Sequence, residues 1–330
     1  MYIEHTIEIL REIRRVLRKD GVVFWNIGDS YWGGDRGADY KYSNDTYETM
    51  KAAKPDWNSD TLKPKDLCLI PFKIAIAAQE DGWWVRSVII WSKPNPMPES
   101  VSDRPTESHE YILMLTKSKK YYWDADAVRE GRQGNTHSRG SKRTPPIESA
   151  GIGHEDWCKY MTKDDELVSR NIRTVWEFPT QPYPEAHFAV FPEKLPEICI
   201  KAATPEVGCC SKCGAPWERI LDKKSSAFNI RVRDAKAGRA TPEEGYKATQ
   251  DEIDNYPGNH PDPGYRKTKG WQPTCKCSAD KIQSLVLDPL MGAGTTLWVA
   301  KKLNRYAVGY EISEEYCWLA VDRCRQQVLL

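Results

Sequence analysis

The chain has 330 residues, of which 40% are hydrophobic and 29% are charged, and its formal net charge is +1. This composition supports one large core with insertions, and the near-neutral charge excludes a global field that attracts nucleic acid, so such a surface must be local. No apolar run approaches the roughly 20 residues of a membrane span, and residues 1–20 are too charged for a signal peptide. We therefore expect an intracellular, cytoplasmic protein with no membrane partner, whose ten cysteines bind metal or remain buried thiols.

The N-terminal third of the chain predicts alternating helices and strands. Apolar residues recur at helical spacing from Ile3 to Leu17, and Asp20-Gly21 ends that helix. The following predicted elements are a strand at 22–27, a helix at 67–79, and strands at 83–91 and 110–116. Strands that alternate with helices indicate a parallel sheet covered on both faces, with room for an antiparallel edge strand.

A basic, irregular stretch runs from Arg129 to Pro146. It contains five Lys and Arg residues against the single Glu130, which gives a local charge of +4. Two interpretations stay open: a surface that pairs with phosphates and positions a duplex, and a solvated loop. The same choice applies to a second basic stretch at 222–239, for which the loop is favoured.

Four cysteines form two closely spaced pairs. Cys210 and Cys213 enclose two residues, and Cys275 and Cys277 follow after a gap of 61 residues. Two such thiolate pairs can complete a tetrahedral structural zinc site, which would fold the segment between them and leave no open position for chemistry. Cys209 rivals Cys210 as a ligand, and unligated buried cysteines are the alternative interpretation.

The C-terminal segment predicts a nucleoside-binding crevice. A strand at 284–287 leads through a Gly-Ala-Gly turn into a helix at 295–303, whose first threonines suit a helix start. A second strand at 305–310 ends at Glu311, 23 residues after Asp288. The glycines allow a ligand to approach the backbone closely, and the carboxylate can accept hydrogen bonds from ribose hydroxyls. The alternative is an ordinary tight turn between a strand and a helix.

The residues of this turn resemble one family of nucleoside-binding loops. The string from Asp288 to Thr296 reads DPLMGAGTT, and Leu297 stands where a dinucleotide-binding loop has its third glycine. It is similar to the S-adenosylmethionine loop of DNA amino-methyltransferases, which methylate the exocyclic nitrogen of cytosine or adenine. Because the loop lies near the C-terminus, the resemblance is to the permuted, beta-class members. It implies an α/β fold with a doubly wound, mostly parallel sheet (Rossmann-like), and it makes a redox enzyme the weaker interpretation.

The resemblance assigns candidate residues in three places. In the permuted family, a run similar to HFAVFPEKLP at 187–196 precedes the cofactor loop and packs on the methionine end of the cofactor. The implied S-adenosylmethionine contacts are Phe191, Pro192, Lys194, Asp288, Pro289, Gly292, Gly294, Thr295, Thr296 and Glu311. Segments 26–31 and 91–98 look like those that follow the family's catalytic motif, and the candidate pocket residues there are Asn26, Asp29, Lys93 and Asn95. An equally weighted alternative makes these four side chains turn and capping residues.

The resemblance also predicts the domain organisation. Residues 1–124 would form the substrate-side half of the sheet, and 125–186 a target-recognition region. Residues 187–208 and 278–330 would bind S-adenosylmethionine, and 209–277 would form a zinc-ribbon-like insertion held by Cys210, Cys213, Cys275 and Cys277. Double-stranded DNA is the expected substrate, with N4 of cytosine favoured over N6 of adenine. If Gly294 admits the ligand, Gly294→Val should abolish cofactor binding by blocking the backbone approach.

One motif of the family has no counterpart here. The family holds its target base with an Asp/Asn/Ser-Pro-Pro-aromatic box, which in the permuted order would precede Ile3. The closest internal string, Thr144–Ile147, has no aromatic residue and follows no predicted strand. We therefore expect a chain whose N-terminal strands and catalytic box are missing. Two hypotheses stay open: a DNA amino-methyltransferase represented without its box, and a non-catalytic remnant that binds DNA or cofactor and completes itself with a second chain or as a dimer. An RNA methyltransferase is a third, weaker hypothesis, because the sequence contains no recognisable RNA-binding module.

Overall fold

The computed structural model describes residues 1–32, 61–131, 169–181, 190–223 and 266–325. The chain forms two compact units, the first of residues 1–122 with 173–184 and the second of residues 123–172 with 185–330. Most of both basic stretches, and the Pro-Pro string at 144–147, lie outside the described residues. Within the described part of the chain, no helix is both long and apolar enough to cross a membrane.

The described elements include every helix and strand that the sequence predicted, with ends displaced by three residues or fewer. In chain order they are α1 (Tyr2–Val16), β1 (Val22–Ile27), α2 (Ile70–Glu80), β2 (Trp84–Ser92), β3 (His109–Thr116), β4 (Glu130–Gly131), β5 (Ser169–Arg170), β6 (Val175–Glu177), α3 (Lys194–Ala203), β7 (Cys209–Cys210), β8 (Trp217–Lys223), β9 (Arg266–Pro273), β10 (Lys281–Ile282), β11 (Leu285–Asp288), α4 (Thr295–Lys302), β12 (Tyr306–Gly309) and α5 (Glu314–Arg325). A short 3₁₀ helix spans Ala125–Val128.

The first unit contains a four-stranded sheet in the order β1-β3-β2-β6. Strand β3 runs antiparallel to both β1 and β2, whereas β2 and β6 are parallel. The antiparallel strand therefore lies inside the sheet, which corrects the expectation that it would lie at an edge. The connection between β2 and β3 contains no helix, so the chain returns beside β2 in the opposite direction instead of making a parallel crossover.

Helices α1 and α2 cover one face of this sheet. The apolar stripe of α1 is buried there, with Leu10 fully inaccessible, and Ile74 of α2 and Leu115 of β3 are equally buried. Interlocked side chains of this kind define the core of the unit, and truncating one of them to alanine costs about 2–5 kcal/mol. The predicted amphipathic pattern of the first helix is thus confirmed in its packing.

Helix α2 begins three residues later than the sequence pattern predicts. Leu69 adopts a left-handed conformation with φ of +56°, and Pro71 occupies the first helical turn. The backbone N–H of Ile70 donates to Asp29 Oδ1 at 3.0 Å. The helix start is therefore set by a carboxylate 41 residues away in the chain, which a local pattern does not reveal.

The second unit carries the glycine turn. Strands β11 and β12 pair in parallel, from Leu285 opposite Tyr306 to Asp288 opposite Gly309, and α4 connects them. Helix α4 packs on α3 through a small core that includes Ile200, Val299 and Ala300. This strand–helix–strand arrangement places the turn at the carboxyl ends of both strands, where open α/β sheets bind ligands.

The second unit also contains two antiparallel strand pairs around the cysteines. Strand β7 pairs with β10, and β8 pairs with β9. Local sequence patterns do not predict the β8–β9 pair, because its strands are separated by the long stretch 224–265 and carry many charged residues. Together these pairs bring residues 209–223 and 266–282 into one small structure.

Candidate cofactor loop and cysteine cluster

The turn after β11 is closed by backbone and side-chain hydrogen bonds. Asp288 Oδ1 accepts from the N–H of Leu290 at 3.1 Å, and the N–H of Met291 donates to the carbonyl of Tyr310 at 3.0 Å. Gly292 and Gly294 both have positive φ, of +50° and +75°. The Asp-Pro opening and the two glycines therefore produce one tight loop that faces the end of β12.

Glu311 joins this loop to the segment after β12. Its Oε2 accepts from the N–H of Gly292 at 3.0 Å, and its Oε1 accepts from the N–H groups of Ile312 and Ser313, both at 2.9 Å. A carboxylate offers about four acceptor positions. These three bonds fix its orientation and leave one position on Oε2 for a further donor.

The glycines of this region have different roles. A methyl group added to Gly292 would point into open space, with no atom of the described residues within 4 Å. A methyl group on Gly294 would lie 2.7 Å from Ala320 Cβ in α5, and one on Gly309 would lie 2.9 Å from Met291 Cβ. The space at Gly294 is therefore needed for helix packing, which corrects the expected reason for its glycine; the open approach to the backbone is at Gly292. Gly309 was not among the predicted site residues, because it belongs to no sequence motif.

Thr295 is held by a residue that the sequence analysis missed. Thr295 and Thr296 are the first two residues of α4, in the first turn as predicted, and the helix has no side-chain cap. Thr295 is instead buried, and its Oγ1 accepts from Arg323 Nη1 at 2.9 Å. Arg323 Nη2 also lies 3.3 Å from Glu193 Oε1, and Lys302 Nζ donates to Glu193 Oε2 at 2.6 Å. Arg323 therefore connects the two segments that were predicted to bind the cofactor.

The candidates at the start of α3 differ in accessibility. Pro192 is buried, Phe191 is partly buried and Lys194 is exposed. Lys194 Nζ lies 3.1 Å from Glu197 Oε2, so it pairs within its own helix. Residues 187–189, which begin the family run, lie outside the described residues.

In the first unit, Glu110 brings two of the four candidate pocket residues together. Its Oε2 accepts from Asn26 Nδ2 at 2.8 Å, and its Oε1 lies 2.5 Å from Lys93 Nζ. Lys93 Nζ also lies 4.8 Å from the centre of the Trp91 ring, and Trp91 stacks on Phe178. Asn26, Lys93 and Glu110 therefore form a polar cluster without net charge, next to the stacked rings of Trp91 and Phe178 at one end of the sheet.

The other two candidates make local contacts. Asp29 caps the start of α2 through Oδ1, while its buried Oδ2 has no hydrogen-bond partner within the described part of the chain. Asn95 exchanges two hydrogen bonds of 3.1 Å with Thr180, one through each end of its amide. These contacts agree with the turn-and-cap interpretation for Asp29 and Asn95.

The four predicted cysteine ligands lie together in the second unit. The Sγ atoms of Cys210, Cys213, Cys275 and Cys277 are all within 4.8 Å of one another. Tetrahedral zinc with bonds of about 2.3 Å places its sulfurs about 3.8 Å apart, so a small contraction would seat the ion. Backbone N–H groups of Cys213 and Lys212 lower the pKa of Cys210 to about 6, which favours its thiolate, whereas hydrogen bonds from the neighbouring cysteines raise the pKa of Cys275 and Cys277. Cys209 Sγ instead lies 3.4 Å from Ser284 Oγ, so Cys210 is the member of this group.

Arg219 anchors the β8–β9 pair to the rest of the second unit. Its Nη2 lies 2.9 Å from Asp124 Oδ2 and 2.9 Å from Glu206 Oε2, and its Nη1 donates to Thr268 Oγ1 at 2.7 Å. The side chain of Asp124 is only 5% exposed. A buried carboxylate with a bidentate guanidinium partner is costly to break, so the cysteine-bearing structure has a fixed attachment.

Comparison with known proteins identifies the family of the chain. Residues 1–210 and 273–322 match the family model described as DNA methylase, of N6 and N4 methyltransferases. The chain is 31% identical over 322 residues to the Type II methyltransferase M.SmaI of Serratia marcescens, a match that covers 98% of this chain and 73% of that protein. It is 43% identical over 203 residues to the Type II methyltransferase M.Cfr9I of Citrobacter freundii, covering 62% of this chain and 56% of that protein. The chain belongs to this family of DNA methylases.

Among solved structures, the chain resembles the cytosine-N4-specific PvuII DNA methyltransferase. The superposition has a TM-score of 0.48 and 12% sequence identity, and covers 98% of this chain and 70% of that one.

Proposed function

We propose that this chain transfers a methyl group from S-adenosylmethionine to an exocyclic amino group in DNA, at N4 of cytosine, with N6 of adenine as the alternative target. The observation that carries the proposal is the loop in which Glu311 is bound to the backbone of Gly292 beside an open approach. A loop of this kind, between two parallel strands, is suited to a nucleoside.

The residues around this loop fit the cofactor. The free acceptor position on Glu311 Oε2 suits a ribose hydroxyl, and the side chain of Ile312 is fully exposed beside it, at 102%. An isoleucine in that position offers an apolar surface to an adenine ring. The segment at Phe191 and Pro192 would approach the methionine end, and Arg323 would hold that segment to Thr295.

The polar group of the first unit supports a role in holding the target base. When bound, S-adenosylmethionine supplies an electrophilic methyl group, so the protein needs to position the amino nitrogen and keep its lone pair available. Glu110 orients the amide of Asn26 by accepting from Nδ2, and it neutralises Lys93. Phe178 is partly exposed and stacks on the buried Trp91 ring, so it supplies an aromatic surface next to these groups, of the kind that stacks on an extruded base.

A structural zinc ion is a second part of the proposal. Cys210, Cys213, Cys275 and Cys277 would supply four thiolates, which leaves no coordination position for substrate. The ion would stabilise the insertion and take no part in methyl transfer.

The names of the relatives support a role in restriction–modification. M.SmaI and M.Cfr9I are Type II methyltransferases, so we infer that this chain protects DNA as the modification partner in a restriction–modification system. Its substrate is then double-stranded DNA that carries a specific short sequence.

The decisive experiment is nucleoside mass spectrometry of DNA incubated with the purified protein and S-adenosylmethionine. We expect N4-methylcytosine, and N6-methyladenine would assign the alternative base. The Glu311→Ala variant should give much less product, whereas the exposed Glu218→Ala variant should match the parent protein. Absence of product from folded protein that binds S-adenosylmethionine would contradict the proposed activity and favour a non-catalytic binding protein.

A further inference from the structure

Three lysines surround the cysteine cluster. Lys212 lies between the first two cysteines, Lys276 lies between the last two, and Lys281 stands opposite Cys210 in the β7–β10 ladder. All three side chains are exposed. We call these three residues the knuckle lysines.

The cysteine cluster brings these lysines together although the chain separates them. Lys212 and Lys276 are each adjacent in sequence to cysteines whose Sγ atoms lie within 4.8 Å. The N–H of Ser211 also donates to the carbonyl of Asp280 at 2.8 Å, which ties the two cysteine segments directly. Lys281 Nζ lies 4.9 Å from the centre of the Trp217 ring, so its charge is held at the same end of the structure. The three exposed lysines therefore lie around the same small structure and form a local cationic surface.

The segments around the cysteine cluster carry more net positive charge than the chain as a whole. Within 204–223 and 266–284, eight Lys and Arg residues face four Asp and Glu residues, a balance of +4, whereas the whole chain carries +1. One of the basic residues, Arg219, is paired with Asp124 and Glu206. The surplus positive charge therefore belongs to the lysines and to the ends of the β8–β9 pair.

We propose that the knuckle lysines bind backbone phosphates of the DNA duplex on which the enzyme acts. This inference rests on the proposed function, since it takes the substrate to be DNA. Lysine ammonium groups on flexible stems bind phosphate as point charges without reading the base sequence. The surface thus adds affinity and position on the duplex, while base selection belongs to other residues.

The test compares two double charge reversals with the same change in net charge. Lys212→Glu with Lys276→Glu alters the knuckle surface, and Lys19→Glu with Lys119→Glu alters exposed lysines of the first unit. Binding to a short fluorescent duplex is measured by anisotropy over a series of NaCl concentrations. Each lost phosphate contact lowers the slope of log affinity against log salt by about 0.9, so the knuckle variant should lose about 2 in slope and at least about tenfold in affinity. The control variant should retain the slope of the parent protein.

Zinc content and melting temperature separate phosphate binding from charge compensation. A zinc site with four thiolates carries a net charge of −2, and the knuckle lysines could instead serve to neutralise it. Loss of zinc or a lower melting temperature in the knuckle variant, or in the milder Lys212→Gln with Lys276→Gln variant, would overturn the proposal. So would a slope equal to that of the control. If the parent protein binds the duplex with the expected slope but makes no methylated nucleoside, the proposed catalytic function fails while the phosphate surface stands.

Discussion

At the scale of single residues, the two glycines of the turn have different structural roles although they belong to one motif. Gly292 faces open space beside the Glu311 carboxylate, whereas Gly294 allows α5 to approach at Ala320. Gly309 lies outside the motif and makes room for Met291. A sequence motif identifies the turn, but only the surrounding atoms tell which glycine admits a ligand.

This difference predicts opposite consequences for two alanine substitutions. Gly292→Ala places a methyl group in the open approach, so S-adenosylmethionine affinity should fall at least about tenfold, with a strain cost of about 1 kcal/mol from the positive φ. Gly294→Ala forces a contact with Ala320 Cβ at 2.7 Å, so the melting temperature should fall more than in Gly292→Ala. Calorimetric titration and thermal unfolding of both variants check the pair. The reverse pattern, a destabilised Gly292→Ala and a stable, non-binding Gly294→Ala, would show that the two roles are exchanged.

Glu193 predicts a pH-dependent contribution to stability. Burial raises its pKa, but Lys302 and Arg323 outweigh burial and hold the pKa below the ordinary value of 4.5. A carboxylate with a depressed pKa stabilises the folded state above the unfolded pKa and loses this contribution as pH falls through the folded pKa. Glu193→Gln should therefore lower the free energy of unfolding by about 1–2 kcal/mol at neutral pH. The difference from the parent protein should shrink as the solution is made acidic.

Urea unfolding of the parent protein and the Glu193→Gln variant across pH measures this difference. Glu218→Gln is the matched control, because Glu218 is exposed on β8 and should give no change at any pH. A difference for Glu193→Gln that is constant with pH would mean that the carboxylate acts through packing and not through its charge.

At the scale of elements, the β7–β10 and β8–β9 pairs depend on the cysteine cluster and on one buried ion pair. Few apolar residues of these strands are buried; Cys210 is the exception, at 1% exposure. A small, polar pair of strands of this kind is marginal in water without a metal or an anchor. The cluster supplies the site for a metal, and Arg219 on Asp124 supplies the anchor.

Two cysteine substitutions test the metal. Cys213→Ser removes one of the four clustered thiols, so the protein should lose most of its bound zinc and unfold at a lower temperature. Cys209→Ser alters the neighbouring cysteine, whose Sγ contacts Ser284, and should keep its zinc. Metal content measured by inductively coupled plasma mass spectrometry checks both. Equal zinc content in the two variants would remove Cys213 from the ligand set.

At the scale of the whole molecule, the chain contains two units with separate hydrogen-bonded sheets. The four-stranded sheet of the first unit packs on α1 and α2, and no residue of the cysteine cluster belongs to it. Stability in such a molecule is not uniform, and metal removal should open only the elements that depend on the metal.

Hydrogen exchange after chelation tests this separation. Treatment with a strong zinc chelator should accelerate amide exchange in β7 to β10, while β1, β2 and β3 keep their protection. Mass spectrometry of peptic fragments resolves the two groups of strands. Equal acceleration in both would mean that the molecule unfolds as one cooperative unit, and no acceleration would mean that the cysteine cluster holds no stabilising metal.

Local sequence patterns accounted for the elements with strong periodicity or strong breakers. The apolar run Val22–Ile27 is a strand with the predicted ends, and α1 and α4 follow their predicted spans closely. The prediction did not include β6, β8, β9 or α5. Three-residue strands and charged strands carry little periodic signal, because their stability comes from neighbours that are distant in the chain.

The candidate site divides in the same way. Sequence motifs predict the parts of the site whose chemistry requires particular residue types at short spacing. These parts are the glycines, the Asp-Pro pair, the acidic residue after the second strand and the closely spaced cysteines. No sequence motif identified Glu110, Glu193 or Arg323 as a site residue. Each acts across 17 to 130 residues of chain, between elements that meet only after folding.

The sequence by itself determined that the chain is an α/β protein with a nucleoside-type glycine turn, a group of four cysteines and a resemblance to DNA amino-methyltransferases. The tertiary structure decided that β3 lies inside its sheet, that Cys210 and not Cys209 joins the cluster, and that Gly292 rather than Gly294 faces the open approach. The physical reason is the distance along the chain over which each interaction acts. Periodicity and turn chemistry act within a few residues, whereas strand order, ligand choice and free space depend on which distant atoms arrive beside them.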